Sequence, residues 1–350
     1  MTHKPLHPAL LLLLALLPTA CRRGSDGPPP DIAFYYWRTT FRLTPAERRT
    51  LQQCNVSHLY IRYFDIKLGP HGQPLPESPI HFSSPPPKGV RVTPVVYIKN
   101  EVMLRRGLAI DTLADHIIHL VHLIDSTVGL PPADELQLDC DWSTRSRDPF
   151  MALVDTLRNR HTYPHLSATI RLHQAKHHTI TRIPNVDRGV LMYYNMGTIS
   201  ADTLNSIYDR HIAARYIPSL RRYPLPLDVA LPLYAWGVHS DANGHVKTLI
   251  ERITRADFEQ DTNFVTTPGS NIILVRHSNI KGGRYYTAGD HVKIEAVTAS
   301  DLRGMAHDLS RHLAAKPHEI IFFDLDEHHL STYINYEHEN NFLQNLVRRF

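Results

Sequence analysis

Cysteine is scarce, with three residues in a chain of 350, at positions 21, 54 and 140. That is too few for a disulfide framework to organise a protein of this length. Excess charge is equally slight. The formal net charge is +4 and no Lys/Arg block stands out, so the electrostatic footprint of a nucleic-acid binder is missing. The apolar run from Ala9 to Leu17 is too short to span a bilayer. The 24 histidines form no tract; scattered as they are, they suit titration near neutral pH better than one dedicated metal site, and no metal or other cofactor is assigned.

What is present begins with an address. Lys4 precedes the apolar run, and Leu17-Pro18-Thr19-Ala20-Cys21 follows it. This resembles a bacterial lipoprotein signal, in which residues 1–20 are removed and Cys21 is lipidated. The expected location is therefore exported and membrane-anchored, periplasmic or at the cell surface. Residues 21–30, rich in Gly and Pro, read as a tether, and residues 31–350 as the folded domain. Cys54 and Cys140 sit in apolar patterns and read as buried free thiols, with a disulfide between them as the alternative.

From Ile32 onward, short runs rich in β-branched and aromatic residues alternate with helix-like segments. Thr44-Pro45-Ala46-Glu47 supplies an N-cap, a proline at the first helical position and the glutamate of a capping box, which starts a helix. Eight strand-like runs can be counted: 32–40, 56–66, 92–98, 135–143, 166–173, 189–197, 228–236 and 319–326. Helices are expected over 111–125, 149–158, 201–216 and 300–315. The fold class is α/β, a (β/α)8 TIM barrel, with residues 237–299 as an insertion between strands seven and eight and the Gly69 to Gly89 loop covering one end.

One stretch departs from an ordinary apolar barrel. Strand four alternates strictly, setting Gln137, Asp139 and Asp141 against Leu136, Leu138, Cys140 and Trp142. Strand five alternates likewise, with Ser167, Thr169, Arg171 and His173 on one face. Helices must cover the apolar face, so the carboxylates face the lumen, where Arg171 is the expected partner of Asp139, leaving Asp141 for the cleft. Asp65, Glu101, Asp324, Asp326 and Glu327 are further acids at strand ends. Trp37, Tyr194, Tyr234 and Trp236 are aromatics placed to stack on a ligand or to pack. His116, His119 and His122 share one side of a helix and read as a solvated face; a metal-dependent hydrolase built on His173 and the aspartates is a third reading.

These pieces, in this order, resemble glycoside hydrolase family 18, the chitinases and their relatives. Its strand-four motif D-x-x-D-x-D-x-E is matched by Asp139, Asp141 and Trp142, with Leu136 at the first aspartate and Ser143 at the glutamate. Its strand-six M-x-Y-D is met by Met192, Tyr194 and Asn195, and its strand-seven G-x-P-x-Y by Ala230, Pro232 and Tyr234. Phe323 and Asp326 stand at its strand-eight W-x-x-D. The landmarks Tyr35-Tyr36-Trp37, Arg62-Tyr63-Phe64-Asp65 and Leu138 to Trp142 also resemble those of a group of exported bacterial lipoproteins. The resemblance implies a glycan ligand, with Asp141, Asp139 and Tyr194 as catalytic candidates and Arg171, His173, Asn195, Tyr234, Trp236 and Asp326 as substrate-binding candidates. Ser143 cannot serve as a general acid near neutral pH. The expectation is therefore a lipid-anchored, glycosidase-like barrel that binds a glycan, with its hydrolysis left open by the missing acid, the alternative being an inactive glycan-binding or partner-binding lipoprotein.

Overall fold

The computed structural model describes residues 27–334 and 341–350; the signal segment and Cys21 lie outside them. Eight parallel strands close on themselves: β1 (Asp31–Tyr36), β2 (His58–Leu68), β3 (Arg91–Ile98), β4 (Glu135–Asp139), β5 (His165–Arg171), β6 (Arg188–Met192), β7 (Leu227–Pro232) and β8 (Glu319–Phe323). β1 pairs with both β2 and β8, which completes the ring. The expected (β/α)8 barrel is the observed fold. Among the described residues, no helix is long and apolar enough to cross a membrane.

The longest helices follow from local sequence. In α1 (Pro45–Gln53) the Thr44 hydroxyl accepts from the Glu47 amide while the Glu47 carboxylate accepts from the Thr44 amide, so the capping box is complete. Glu47 is wholly buried, and it also accepts from Arg38 (2.8 Å) and from the Glu327 amide (3.1 Å), tying α1 to the chain beyond β8. In α2 (Ile110–Val128), Leu113, Ala114, Ile117, Val121 and Ile124 recur at helical spacing and are buried, whereas His116, His119 and His122 are exposed. It ends at Gly129, whose φ of +74° favours glycine. α3 (Arg147–Asn159) and α4 (Ala299–His312) complete the larger helices. Cys54 and Cys140 are free thiols, and burial pushes Cys54 up to about 11.

β1, β4, β6 and β8 stop short of their expected ends, at Tyr36, Asp139, Met192 and Phe323, so Asp141, Tyr194, Asn195 and Asp326 lie just past the strands, and three further elements change course. β7 stops at Pro232, with the Leu233 amide making one more bond to the Phe323 carbonyl (2.6 Å), and the chain re-enters an antiparallel sheet as Ala235–Ser240. The helix expected over 201–216 shrinks to Arg210–Ala214. Asp202 accepts from the Leu204 amide and Asn205 from the Ile207 amide, and these side-chain bonds compete with helix formation until Asp209 caps the shorter segment. β5 ends at Arg171, so His173 lies in the helical turn Leu172–Lys176 and not on the strand. Residues 69–89 form a strand, Pro74–Glu77, antiparallel to the end of β2, and a short pairing of His81–Phe82 with Thr40–Phe41.

Between β7 and β8, Ala235–Ser240, Val246–Glu251, Phe264–Thr266, Ile272–Val275 and His291–Ala296 form a five-stranded antiparallel sheet. Phe258, Phe264, Ile273, Tyr286 and Val292 give it an apolar cluster of its own.

The N-terminal end of the lumen is polar and closed. His58 Nδ1, the Tyr60 hydroxyl and Arg91 all meet Glu319 at 2.8 to 3.0 Å, and Arg188 meets the buried Asp228 at 3.0 Å. Burial alone would raise the Glu319 pKa, but the bonds from His58 and Tyr60 and the charge of Arg91 outweigh it and leave the group below its ordinary value. A depressed acid stabilises the fold above its unfolded pKa and loses that contribution as pH falls through the folded value. Glu319→Ala is expected to cost about 3 kcal/mol in urea unfolding at pH 7. The difference from wild type should shrink below the ordinary glutamate range.

Candidate functional site

All eight strands contribute to one open cleft at their C-terminal ends, where barrel sites are built. Its main body, about 1020 Å³, is lined among others by Trp37, Asp65, Tyr97, Asp139, Arg171, Tyr194, Tyr234 and Asp324. A side lobe of about 410 Å³ lies against Asp141, His173, Met196 and Tyr216. Arg171, Tyr194, Asn195 and Trp236 line both.

The carboxylates on strand four are partnered in an order that differs from the expected one. Arg171 grips Asp141, Nε to Oδ1 and Nη2 to Oδ2 (3.1 Å), a bidentate pair. Asp139 instead accepts from the Thr169 hydroxyl at 2.6 Å. The reason is register. Gln137 pairs with Ser167 across the β4–β5 ladder, so two residues on Asp139 lies beside Thr169, and two further Asp141 lies beside Arg171. Both aspartates line the cleft, Asp139 almost wholly buried and Asp141 half-exposed.

Burial, then the negative charge of Asp141, raises Asp139 to about 6, against the opposing pull of Arg171 and the Thr169 bond. Arg171 is raised despite its burial because Asp141 faces it. His173 is lowered by burial and is therefore neutral at pH 7. Below Asp139 the Tyr35 hydroxyl reaches across the barrel to Gln137 Oε1 (2.6 Å), and Gln137 Nε2 donates to Ser167.

The aromatic wall is equally well fixed. Tyr194 packs edge-on to Tyr234 at 5.9 Å and against Phe323 at 5.5 Å, and among the described residues its hydroxyl has only the Met192 sulfur, at 3.4 Å, as partner. The Tyr234 hydroxyl donates to Asn195 Oδ1 at 2.5 Å, and Asn195 sits at φ +52°, a left-handed conformation that asparagine tolerates. Trp142, the fourth-strand aromatic, is a core residue stacked on Phe150 at 4.7 Å. Ser143 is outside both lobes; its amide and hydroxyl are taken up by Ser146, at 2.8 and 3.2 Å.

The other strand-end acids divide by contact. Asp65 is paired with Arg62 at 2.7 Å, and Glu101 accepts from the Leu68 amide at 3.4 Å. Asp326 accepts from Arg252 (3.2 Å) and from the His328 amide. Asp324 accepts from His329 Nδ1 at 2.8 Å. Asp324, Asp326 and His329 are the one group among the described residues with metal-ligand spacing, their ligand atoms within 4.8 Å of one another. The three are engaged as an ion-paired anchor for the turn after β8. Tyr97 near the end of β3, and Arg38, Arg252 and His329 in the loops beyond strands, also line the cleft, and nothing in the sequence sets them apart.

A raised carboxyl stabilises the fold below its unfolded pKa and loses that contribution as pH rises through the folded value. Wild-type stability is therefore expected to fall by about 2 to 3 kcal/mol between pH 4 and pH 7 through Asp139. Asp139→Asn should lack that slope, measured by urea unfolding across the same range.

No protein-family model and no curated protein matches the sequence. Among solved structures, the spore cortex-lytic enzyme SleL of Bacillus cereus aligns over 93% of this chain and 75% of its own, with a TM-score of 0.52 and 13% identity. Chitinase ChiA74 from Bacillus thuringiensis aligns over 85% and 66%, with a TM-score of 0.47 and 11% identity. The xylanase and alpha-amylase inhibitor protein XAIP-II from Scadoxus multiflorus aligns over 91% and 99%, with a TM-score of 0.47 and 12% identity. Such identities speak to architecture alone: the chain has the (β/α)8 barrel fold of SleL.

Proposed function

We propose that the protein is an exported, lipid-anchored barrel that binds a glycan in the cleft at the C-terminal ends of its strands. The observation that carries this reading is the lining. Aromatic faces from Trp37, Tyr97, Tyr194, Tyr234 and Trp236 and hydrogen-bonding groups from Arg171, Asp141 and Asn195 converge on one open cleft. Sugar rings need both, apolar faces to stack on and directed polar partners for hydroxyl groups. The barrel shared with a spore cortex-lytic enzyme accords with a glycan ligand.

Asp141, held in place by Arg171, acts as an acceptor for the ligand, and Tyr194 as a donor, its hydroxyl meeting a thioether alone among the described residues. Anchoring through Cys21 at the bacterial envelope, periplasmic or at the surface, rests on the leader sequence. Hydrolysis is a second reading favoured by Asp139. Its carboxyl keeps a proton up to about pH 6 and lines the cleft, as a general acid must, where Ser143 offers none.

A glycan-array and hydrolysis screen of the full-length protein in detergent tests both. Asp141→Ala and Arg171→Ala are each expected to weaken binding roughly ten- to a hundredfold; unchanged binding by both refutes the site. If turnover is found, Asp139→Asn should abolish it with binding retained, and undiminished turnover rules Asp139 out as the acid. Metabolic labelling with radioactive palmitate should mark the wild type and leave Cys21→Ser unlabelled.

A further inference from the structure

One residue common to both lobes of the cleft is held from outside the barrel. Of the four side chains common to both lobes, Arg171 is secured by Asp141, Asn195 by Tyr234, and Tyr194 by the rings of Tyr234 and Phe323. Trp236 stands beyond β7, second in the strand Ala235–Ser240, and is only partly buried. Its ring packs against Tyr234 at 5.4 Å, a contact that leaves the indole N–H a choice of direction.

One hydrogen bond removes that choice. Trp236 pairs with Glu295 across the antiparallel ladder, and its Nε1 donates to Glu295 Oε2 at 2.6 Å. Glu295 is wholly buried. The same Oε2 accepts from the Ser206 hydroxyl, and Oε1 is ion-paired with Lys293 Nζ at 2.7 Å. Lys293, also buried, donates to the Leu204 carbonyl at 2.8 Å, and Asn205 Nδ2 donates to the Ala296 carbonyl at 2.7 Å. The sheet between β7 and β8 is thereby fastened to the chain after β6, which supplies Met196, Gly197 and Ile199 to the side lobe. A buried ion pair stabilises no better than an apolar pair of similar volume. What this one adds is a direction for the indole N–H.

We propose that Glu295 is the positioning residue of this cleft. Through Trp236 it sets a stacking platform where the two lobes meet, so the site takes an extended oligosaccharide passing from one lobe into the other, not a single terminal sugar. The ligand class rests on the glycan reading above; the positioning role does not.

Two double variants, both free of the buried charge, isolate the acceptor: Glu295→Gln with Lys293→Met keeps an oxygen for the indole, and Glu295→Leu with Lys293→Met removes it. Both are made in a Trp37→Phe background, where the remaining indoles are Trp236 and the fully buried Trp142. The Leu form is expected to show a shifted emission and a changed acrylamide quenching constant, with the Gln form restoring both. N-acetylglucosamine oligomers of two and six units are the binding probes, titrated against full-length protein in detergent. The six-unit oligomer should bind about three- to tenfold more weakly to the Leu form than to the Gln form, and the two-unit oligomer should differ by less than about twofold. Identical quenching in the two forms overturns the positioning role, and an equal loss for both oligomers overturns the lobe-to-lobe ligand. If the wild type binds neither oligomer, the glycan reading fails for this sugar while the quenching comparison still decides the role of Glu295.

Discussion

Polar side chains enclosed by eight strands have no water to turn to, so each must find its partner among the neighbouring strands or across the lumen. That demand organises this barrel from end to end. At the N-terminal end His58, Tyr60 and Arg91 gather around Glu319; in the middle Tyr35 crosses to Gln137; at the C-terminal end Thr169 serves Asp139 and Arg171 serves Asp141. The helices keep the apolar half of each strand, and the alternation of β4 and β5 is the visible trace of the division.

The same rule gives the two aspartates of β4 and its extension opposite characters. Asp141 has a guanidinium as its bidentate partner; Asp139 has a hydroxyl, little solvent and a negative neighbour, and holds its proton to about pH 6. Two carboxyl groups two residues apart thus sit in contrasting surroundings, one buried beside a hydroxyl and the other held at the cleft by a guanidinium. Ser143, turned into the loop by Ser146, takes no part.

Much of this was legible in the sequence because a strand repeats every two residues. Gln137, Asp139 and Asp141, and Ser167, Thr169 and Arg171, declare a shared face by spacing alone. Their pairing was not legible, because the offset between parallel strands is set by the closure of the whole ring; hence Arg171 meets Asp141 and not Asp139. The capping box at Thr44 is a local signal and came through intact. The helix expected over residues 201–216 failed to form for a local reason as well, since Asp202 and Asn205 bond to nearby amides. Glu295 carried no signal: its partners Trp236 and Ser206 lie 59 and 89 residues away, and only folding brings the three together.

The filled lumen also governs traffic. Between the Glu319 cluster and the Tyr35–Gln137 bond the barrel is stoppered, so the cleft is a blind vessel with a single mouth. A molecule entering at the strand ends leaves by the same route, and a long chain can lie only along the rim, its two ends both in solvent. On the glycan reading proposed above, a polymer would be gripped along its length, with no free end needed to thread.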